Sequence, residues 1–224
     1  MMIKNFSGIY IITAFLMFCS SGFAGSDFDW EKPRNKDGIM VTKRHVDGSK
    51  FKMYKAKTVI NRPIEVIFEV LLDVPAYPEW VPDVRKAYIV EMLDKDRIKG
   101  NLIIHLDYDV IWPVKNRDVV MKVSSAINWE TGYGHVTLTD TREHTIPVKK
   151  GVERIKDLYG LFEFKYIDRN TTDVTYTFYA DPGGKVPAGL TTIQASTVSW
   201  KTLRNLSKIA EKPIYYQQAM RDYY

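Results

Sequence analysis

The stretch DPGGKVPAGLTTIQASTVSWKTLRNLSKIAEKP, residues 181–213, decides the architecture. Asp181-Pro182-Gly183-Gly184 reads as a turn, Pro187 fits the first turn of a helix, and Glu211-Lys212-Pro213 stops that helix near Ala210. About 24 residues at ~1.5 Å each predict a rod of about 36 Å, long enough to cross a whole sheet. Its apolar stripe is Val186, Leu190, Ile193, Thr197 and Trp200, drifting toward Leu203, Leu206 and Ala210. Small and hydroxylated residues crowd its middle: Thr191, Thr192, Ala195, Ser196, Thr197 and Ser199. A helix packed tightly on a sheet carries more Leu and Ile there, so this one predicts space against its partner.

Upstream, the chain reads as repeated short strands. Residues 85–93, 97–108, 117–127, 134–143, 151–157, 161–168 and 173–180 form one series, with turn signals at 94–96, 128–132 and 168–170. This pattern predicts an antiparallel sheet. Before it, 39–46 and 51–60 flank the hairpin signal Asp47-Gly48, with Tyr54, Ala56, Thr58 and Ile60 on one face. Between the two groups, Asn61 and Pro63 open a helix whose stripe is Ile64, Ile67, Phe68, Leu71 and Leu72. Pro75 and Pro78 end it, and residues 77–82 make an aromatic, proline-stiffened connection.

The 45% hydrophobic and 26% charged shares of these 224 residues argue against disorder. The chain has no 20–50-residue repeat, which excludes solenoids and propellers. A net charge of +5 is too weak to indicate nucleic acid, and none is expected as a partner. The first residues carry Lys4, an apolar run from Ile9 to Phe18 and small residues at Gly22 and Ala24. This is the pattern of a cleavable secretory signal over 1–24, cut after Ala24, so a periplasmic or secreted protein is expected. A run of about ten apolar residues is half what a bilayer-spanning helix needs. Processing at Cys19 as a lipoprotein is disfavoured by Phe18, which stands where a small residue belongs. Cleavage of 24 residues from 224 leaves 200, a net charge of +4 once Lys4 is lost, and no cysteine. Thiol chemistry and disulfides are thereby excluded for the mature chain.

Two strands, a helix, a long antiparallel run and one long terminal helix make an α+β, helix-grip order: a curved sheet wrapped around the last helix, with an apolar cavity between them. The chain also carries Trp30, Asp37-Gly38-Ile39, Trp80-Val81-Pro82, Trp112-Pro113-Val114 with Asn116-Arg117-Asp118, and Asp181-Pro182-Gly183-Gly184 with Pro187. With these motifs it resembles the bacterial branch of the START lipid-binding domains, within the wider START and Bet v 1-like superfamily. The resemblance implies a protein that carries a lipid or other hydrophobic molecule in an internal pocket, without a cofactor. It divides the chain into a leader at 25–38, the START-like domain at 39–212 and a tail at 213–224. A monomer that touches membrane surfaces transiently is expected. Some related folds are cyclases, so a cyclase or aromatase acting on a polyketide-like substrate is the alternative. A third possibility is a sensor whose lid reports ligand occupancy.

Several side chains are candidates for chemistry. Arg117 shares a strand face with Val119, Met121 and Val123, and a buried guanidinium must be paired. Either it anchors the polar end of a ligand, or it forms an ion pair that fixes the turn over 112–118. Tyr54, Met121, Tyr176, Phe178, Phe162, Phe164, Tyr166, Ile193, Thr197 and Trp200 are core or cavity lining. By analogy with START domains, the turn bearing Trp129 and Tyr133 falls at the gate of the pocket, where Trp129 would dip into a bilayer interface. An ordinary hairpin tip is the alternative. His105, Asp107 and Asp109 share one strand face, but Leu102, Ile104, Leu106 and Tyr108 take the other, so the histidine face is expected to be solvated. His45, His135 and His144 are scattered, and no metal site is expected. The chain has no Gly-x-Ser-x-Gly elbow and no P-loop ending, so no catalytic residue is assigned.

An energetic expectation follows. At about 24 cal/mol per Å³, a lipid-sized void of ~400 Å³ costs on the order of 10 kcal/mol. That rivals a domain's whole stability of ~5–15 kcal/mol. Such a void must hold ligand, hold water or partly collapse.

Overall fold

The structure is a computed structural model that describes residues 30–94, 100–110, 114–142, 146–184, 186 and 188–224, without the side chains of 188–195. The expected signal at 1–24 and the motif residues Trp112, Pro113 and Pro187 lie outside the described residues, as does the side chain of Ile193.

The strands are β1 (Arg34–Lys36), β2 (Ile39–His45), β3 (Lys52–Ile60), β4 (Val84–Met92), β5 (Asn101–Tyr108), β6 (Asn116–Asn128), β7 (Tyr133–Asp140), β8 (Val152–Arg154), β9 (Asp157–Asp168) and β10 (Thr171–Asp181). They form one sheet in the order β1-β2-β3-β10-β9-β7-β6-β5-β4, antiparallel throughout except that β8 runs parallel to the start of β6. Closing the sequence-early β2–β3 hairpin onto β10 puts an early strand, β3, beside the last one, with Tyr54 directly across from Phe178. β1 is not marked by any apolar alternation, since Arg34, Asn35 and Lys36 are all exposed.

Helix α1 (Ile64–Leu72) follows Pro63, whose fixed φ of −55° suits the position just before the first turn; no side chain caps it, so the cap expected from Asn61 is not used. Six apolar residues of α1 are buried, and Phe68 meets Phe164 edge-on at 6.0 Å. After a 3-10 turn (Val74–Ala76), the short α2 (Tyr77–Trp80) folds back, and the Tyr77 hydroxyl donates to Leu71 O at 2.7 Å. That bond satisfies a carbonyl left free at the end of α1.

Helix α3 (Ala188–Ile209) is the predicted grip helix, and its 22 residues make a rod of about 33 Å. Trp200, Leu203, Leu206 and Ile209 are buried along it, with Leu203 and Leu206 at 0% exposure. No described helix is long and apolar enough to cross a membrane.

Two local expectations need correcting. Residues 213–224 are not a tail: Pro213–Tyr223 is a further helix, α4, packed on α1 through buried Tyr215 and Ala219. The proline that ends α3 serves equally as the first residue of α4. The histidine face of β5 is not solvated either, for His105 and Asp107 are 2% and 3% exposed. Residues from the 146–154 segment cover it, with Lys149 and Arg154 reaching Asp107 and Asp118.

Candidate functional site

The inner face of the sheet is aromatic. Phe164 stacks on Phe162, Phe162 on Tyr176 at 4.2 Å, and Tyr176 on Phe178 at 5.8 Å, a ladder that crosses β9 and β10. Alternation along each strand places these rings on one face, and the antiparallel register brings Phe162 opposite Tyr176. Phe162, Tyr176 and Phe178 of this ladder form one wall of an internal cavity. Met121, Val136 and Leu158 continue the sheet wall, while Leu71, Tyr77, Trp80 and Thr202 close it from the helices.

The enclosed space measures about 40 Å³. A single water needs roughly 10–15 Å³, so this space has room for a few waters. Among the described residues this part of the cavity is smaller than a lipid.

The described lining carries the phenols of Tyr77, Tyr108 and Tyr176 and the hydroxyl of Thr202, but no carboxylate, imidazole or amine. Burial raises the pKa of each phenol above its ordinary value, with neighbouring phenols and Asp73 or Asp83 adding to the effect. At neutral pH all three stay protonated and are not bases; the Tyr77 proton is committed to Leu71 O, which leaves Tyr108 and Tyr176 as donors for a polar atom of a guest.

The expected site residues divide into groups. Met121, Tyr176 and Phe178 line the internal cavity. Tyr54, Thr197 and Trp200 line a second, larger cleft of about 440 Å³ between α3 and the β1–β2 end of the sheet. Arg117 is buried, but its partners are backbone carbonyls. Nε donates to Pro182 O at 3.2 Å, Nη2 to Gly183 O at 3.3 Å, and Nη1 to Lys115 O. Burial pulls its pKa down from the usual arginine value, partly offset by the Glu153 carboxylate. Of the two readings of Arg117, the observed role is nearer the structural one, with carbonyls in place of a carboxylate. It clamps the turn that leads into α3, where Gly183 and Gly184 stand at φ +67° and +64°. Only glycine adopts two such conformations in succession without strain.

Trp129 is 49% exposed on the β6–β7 turn and meets Tyr223 of α4 edge-on at 5.5 Å. Tyr133 donates to Glu163 at 3.0 Å, and burial together with that carboxylate lifts its pKa to about 12. Both residues are thus placed beside α4 and β9, away from the turn that Arg117 holds.

On the opposite face of β5 and β6 lies a buried charge cluster. Arg154 grips Asp118 through two bonds of 2.9 and 2.5 Å, His105 Nε2 lies 3.1 Å from the same carboxylate, and Lys149 reaches Asp107 at 2.8 Å. Burial alone would raise the pKa of Asp118, but Arg154 and His105 bring it below the usual carboxylate range. Ligand atoms of His105, Asp107 and Asp118 lie within 4.8 Å of one another, a spacing compatible with a cation. Both carboxylates are already neutralised by side-chain cations, so the arrangement is a built ionic network.

The sequence reading missed Tyr77, Trp80 and Leu158 as cavity walls. The first two sit in a connection with no periodicity, and their direction is set by how α2 folds back on α1.

The chain matches the family model of the START domain over residues 20–218. It is 29% identical over 194 residues to an uncharacterised protein of Pseudomonas aeruginosa, covering 85% of this chain and 92% of that one. The fold is similar to a STAR-related lipid transfer protein fragment from Xanthomonas axonopodis, at 26% identity and a TM-score of 0.72 over 82% of this chain and 99% of that one. It is also similar in fold to human StAR-related lipid transfer protein 5, with a TM-score of 0.71, 15% identity, and coverage of 83% and 88%.

Proposed function

The chain belongs to the START domain family, and from that membership we propose that it is an exported, non-catalytic carrier of a lipid or other hydrophobic small molecule. The observation that carries this reading is the uncharged, aromatic cavity between the sheet and the helices, lined from α1, α2 and Thr202 of α3. The likeness to a bacterial lipid transfer protein across nearly its whole length supports the same ligand class.

Loading requires the cavity to widen, because about 40 Å³ does not take an acyl chain. Helix α3, which lies outside the sheet and parts from it without breaking strand pairing, is assigned the opening movement. It enters through the two left-handed glycines and is held at that point by Arg117 on the carbonyls of Pro182 and Gly183. Swinging α3 about this turn exposes the aromatic ladder, and the guest slides between sheet and helix. A chain of ~12 methylenes gains ~0.8 kcal/mol for each one buried, which makes an enclosed passage through water worthwhile. No covalent step is needed. A cyclase would require groups that accept and return protons, whereas the described lining offers only phenols held protonated, which favours the carrier.

Organic extraction of the purified protein followed by mass spectrometry tests the reading. A hydrophobic compound at near one equivalent is the expected result, and vesicle-to-vesicle transfer of a fluorescent lipid should be accelerated by the protein. No bound hydrophobe and no transfer would overturn it. Export is tested separately by N-terminal sequencing of the mature protein, which should begin at Gly25.

A further inference from the structure

The second cleft, between α3 and the β1–β2 end of the sheet, differs in chemistry from the internal cavity. Its floor is apolar: Val41, buried Tyr54 and the ring of Trp200. Its rim carries four cations, Lys32, Arg34, Lys36 and Lys43, against one carboxylate, Glu31. That carboxylate is already committed, to Lys52 at 2.6 Å and to Lys43 at 3.6 Å. Arg34 and Lys36 have no carboxylate partner among the described residues.

In the closed conformation two contacts hold the sides of the cleft together. The Trp200 indole N–H donates to Lys36 O at 3.1 Å and ties β1 to α3, while the Lys36 ammonium stands 3.9 Å above the same ring. A cation held over an aromatic face beside an unpaired guanidinium is a ready receptor for an anion, since charge-assisted hydrogen bonds are the stronger ones. A volume of about 440 Å³ holds a headgroup and several carbons. At its inner wall, Tyr54 is the cross-strand partner of Phe178, which lines the internal cavity. The charged cleft and the apolar cavity therefore adjoin along the inner face of the sheet.

We propose that this cleft binds the anionic end of an amphiphile, a phosphate or carboxylate met by Arg34 and Lys36, whose apolar chain passes over Tyr54 and Phe178 into the internal cavity. The inference rests on the carrier reading and narrows its ligand to the anionic class. Trp200 and Tyr54 steer the chain, and the two cations select the head.

Isothermal titration of the full mature protein with dodecyl phosphate, 1-dodecanol and inorganic phosphate, all below micelle-forming concentrations, tests it. At pH 7 the phosphate monoester carries about −1.5 to −2 charges. Dodecyl phosphate should bind at least about tenfold tighter than dodecanol, which corresponds to about 1.4 kcal/mol. The gap should narrow in high salt, because the cations are exposed. Arg34→Gln with Lys36→Gln should close it by weakening dodecyl phosphate at least about tenfold more than dodecanol. Both side chains are exposed, so the variant keeps its fold, and Lys165→Ala, outside the cleft, serves as a charge control that preserves the gap. Equal binding of the two chain probes by the unaltered protein overturns the inference, as does a gap that survives in the double variant. In either case the carrier reading stands. Inorganic phosphate binding as tightly as dodecyl phosphate also overturns it, identifying a small-anion site instead. Binding of neither chain probe removes the carrier reading and this inference with it.

Discussion

Asp118 shows how one buried carboxylate governs a face of the sheet. Its folded pKa lies below the unfolded value of about 3.9, so its stabilising effect is complete above roughly pH 4 and disappears as pH falls through the lower folded value. Equilibrium unfolding by urea should therefore show an acid-side loss of stability that Asp118→Asn reduces, with the share due to Glu31 remaining. Arg154→Ala leaves that carboxylate without its two-bond partner and should cost about 3 kcal/mol at pH 7 in the same assay. Arg117→Ala frees carbonyls at the entry to α3 and should cost about 2 kcal/mol. It should also speed lipid exchange, because the clamp on the moving helix is gone; unchanged exchange would argue that α3 opens elsewhere. At this scale the sequence was legible where alternation applies: Met121, Tyr176 and Phe178 face the cavity as their parity implies. It was illegible at His105, where alternation assigns a wet face. The residues that cover it, Lys149 and Arg154, come from 42 and 36 positions away from their carboxylate partners.

Among the elements, the grip helix and the antiparallel strands follow from local signals, since a 3.6-residue stripe and a two-residue alternation are each written over many positions. What escaped was short or doubly encoded. The strand expected at 151–157 contains β8, but β8 keeps only three residues and pairs in parallel with β6, a register that no hairpin signal announces. Helix α4 begins at a proline that also marks the end of α3. Its contribution can be measured: Tyr215 is buried, with its hydroxyl 3.2 Å from Asp73, and Tyr215→Ala should cost about 3 kcal/mol. Truncation after Lys212 should cost at least as much and bare the outer face of α1, detectable as increased binding of a hydrophobic dye. A truncated chain as stable as the intact one would show α4 to be an accessory to the domain.

For the molecule as a whole, an apolar internal cavity predicts a stability linked to cargo. A ligand present at about 100 times its dissociation constant adds ~2.7 kcal/mol, which for a domain of this size is a shift of about 5–10 °C. Protein stripped of lipid should melt lower by that amount, and re-addition of the extract should restore it; identical melting curves would mean the cavity is empty as isolated. A different consequence lies in the two outermost strands of the open sheet. β1 exposes only Arg34, Asn35 and Lys36, and β4 carries Arg85, Lys86 and Glu91 across two interruptions of its pairing with β5. Brevity, charge and bulges are the devices that keep unpaired strand edges from adding a neighbour's strand. Arg34 and Lys36 would then serve twice, and neutralising them to abolish anion selectivity also removes a guard against edge-to-edge aggregation. Evolution at these two positions would be constrained by solubility even in a relative that had changed its cargo.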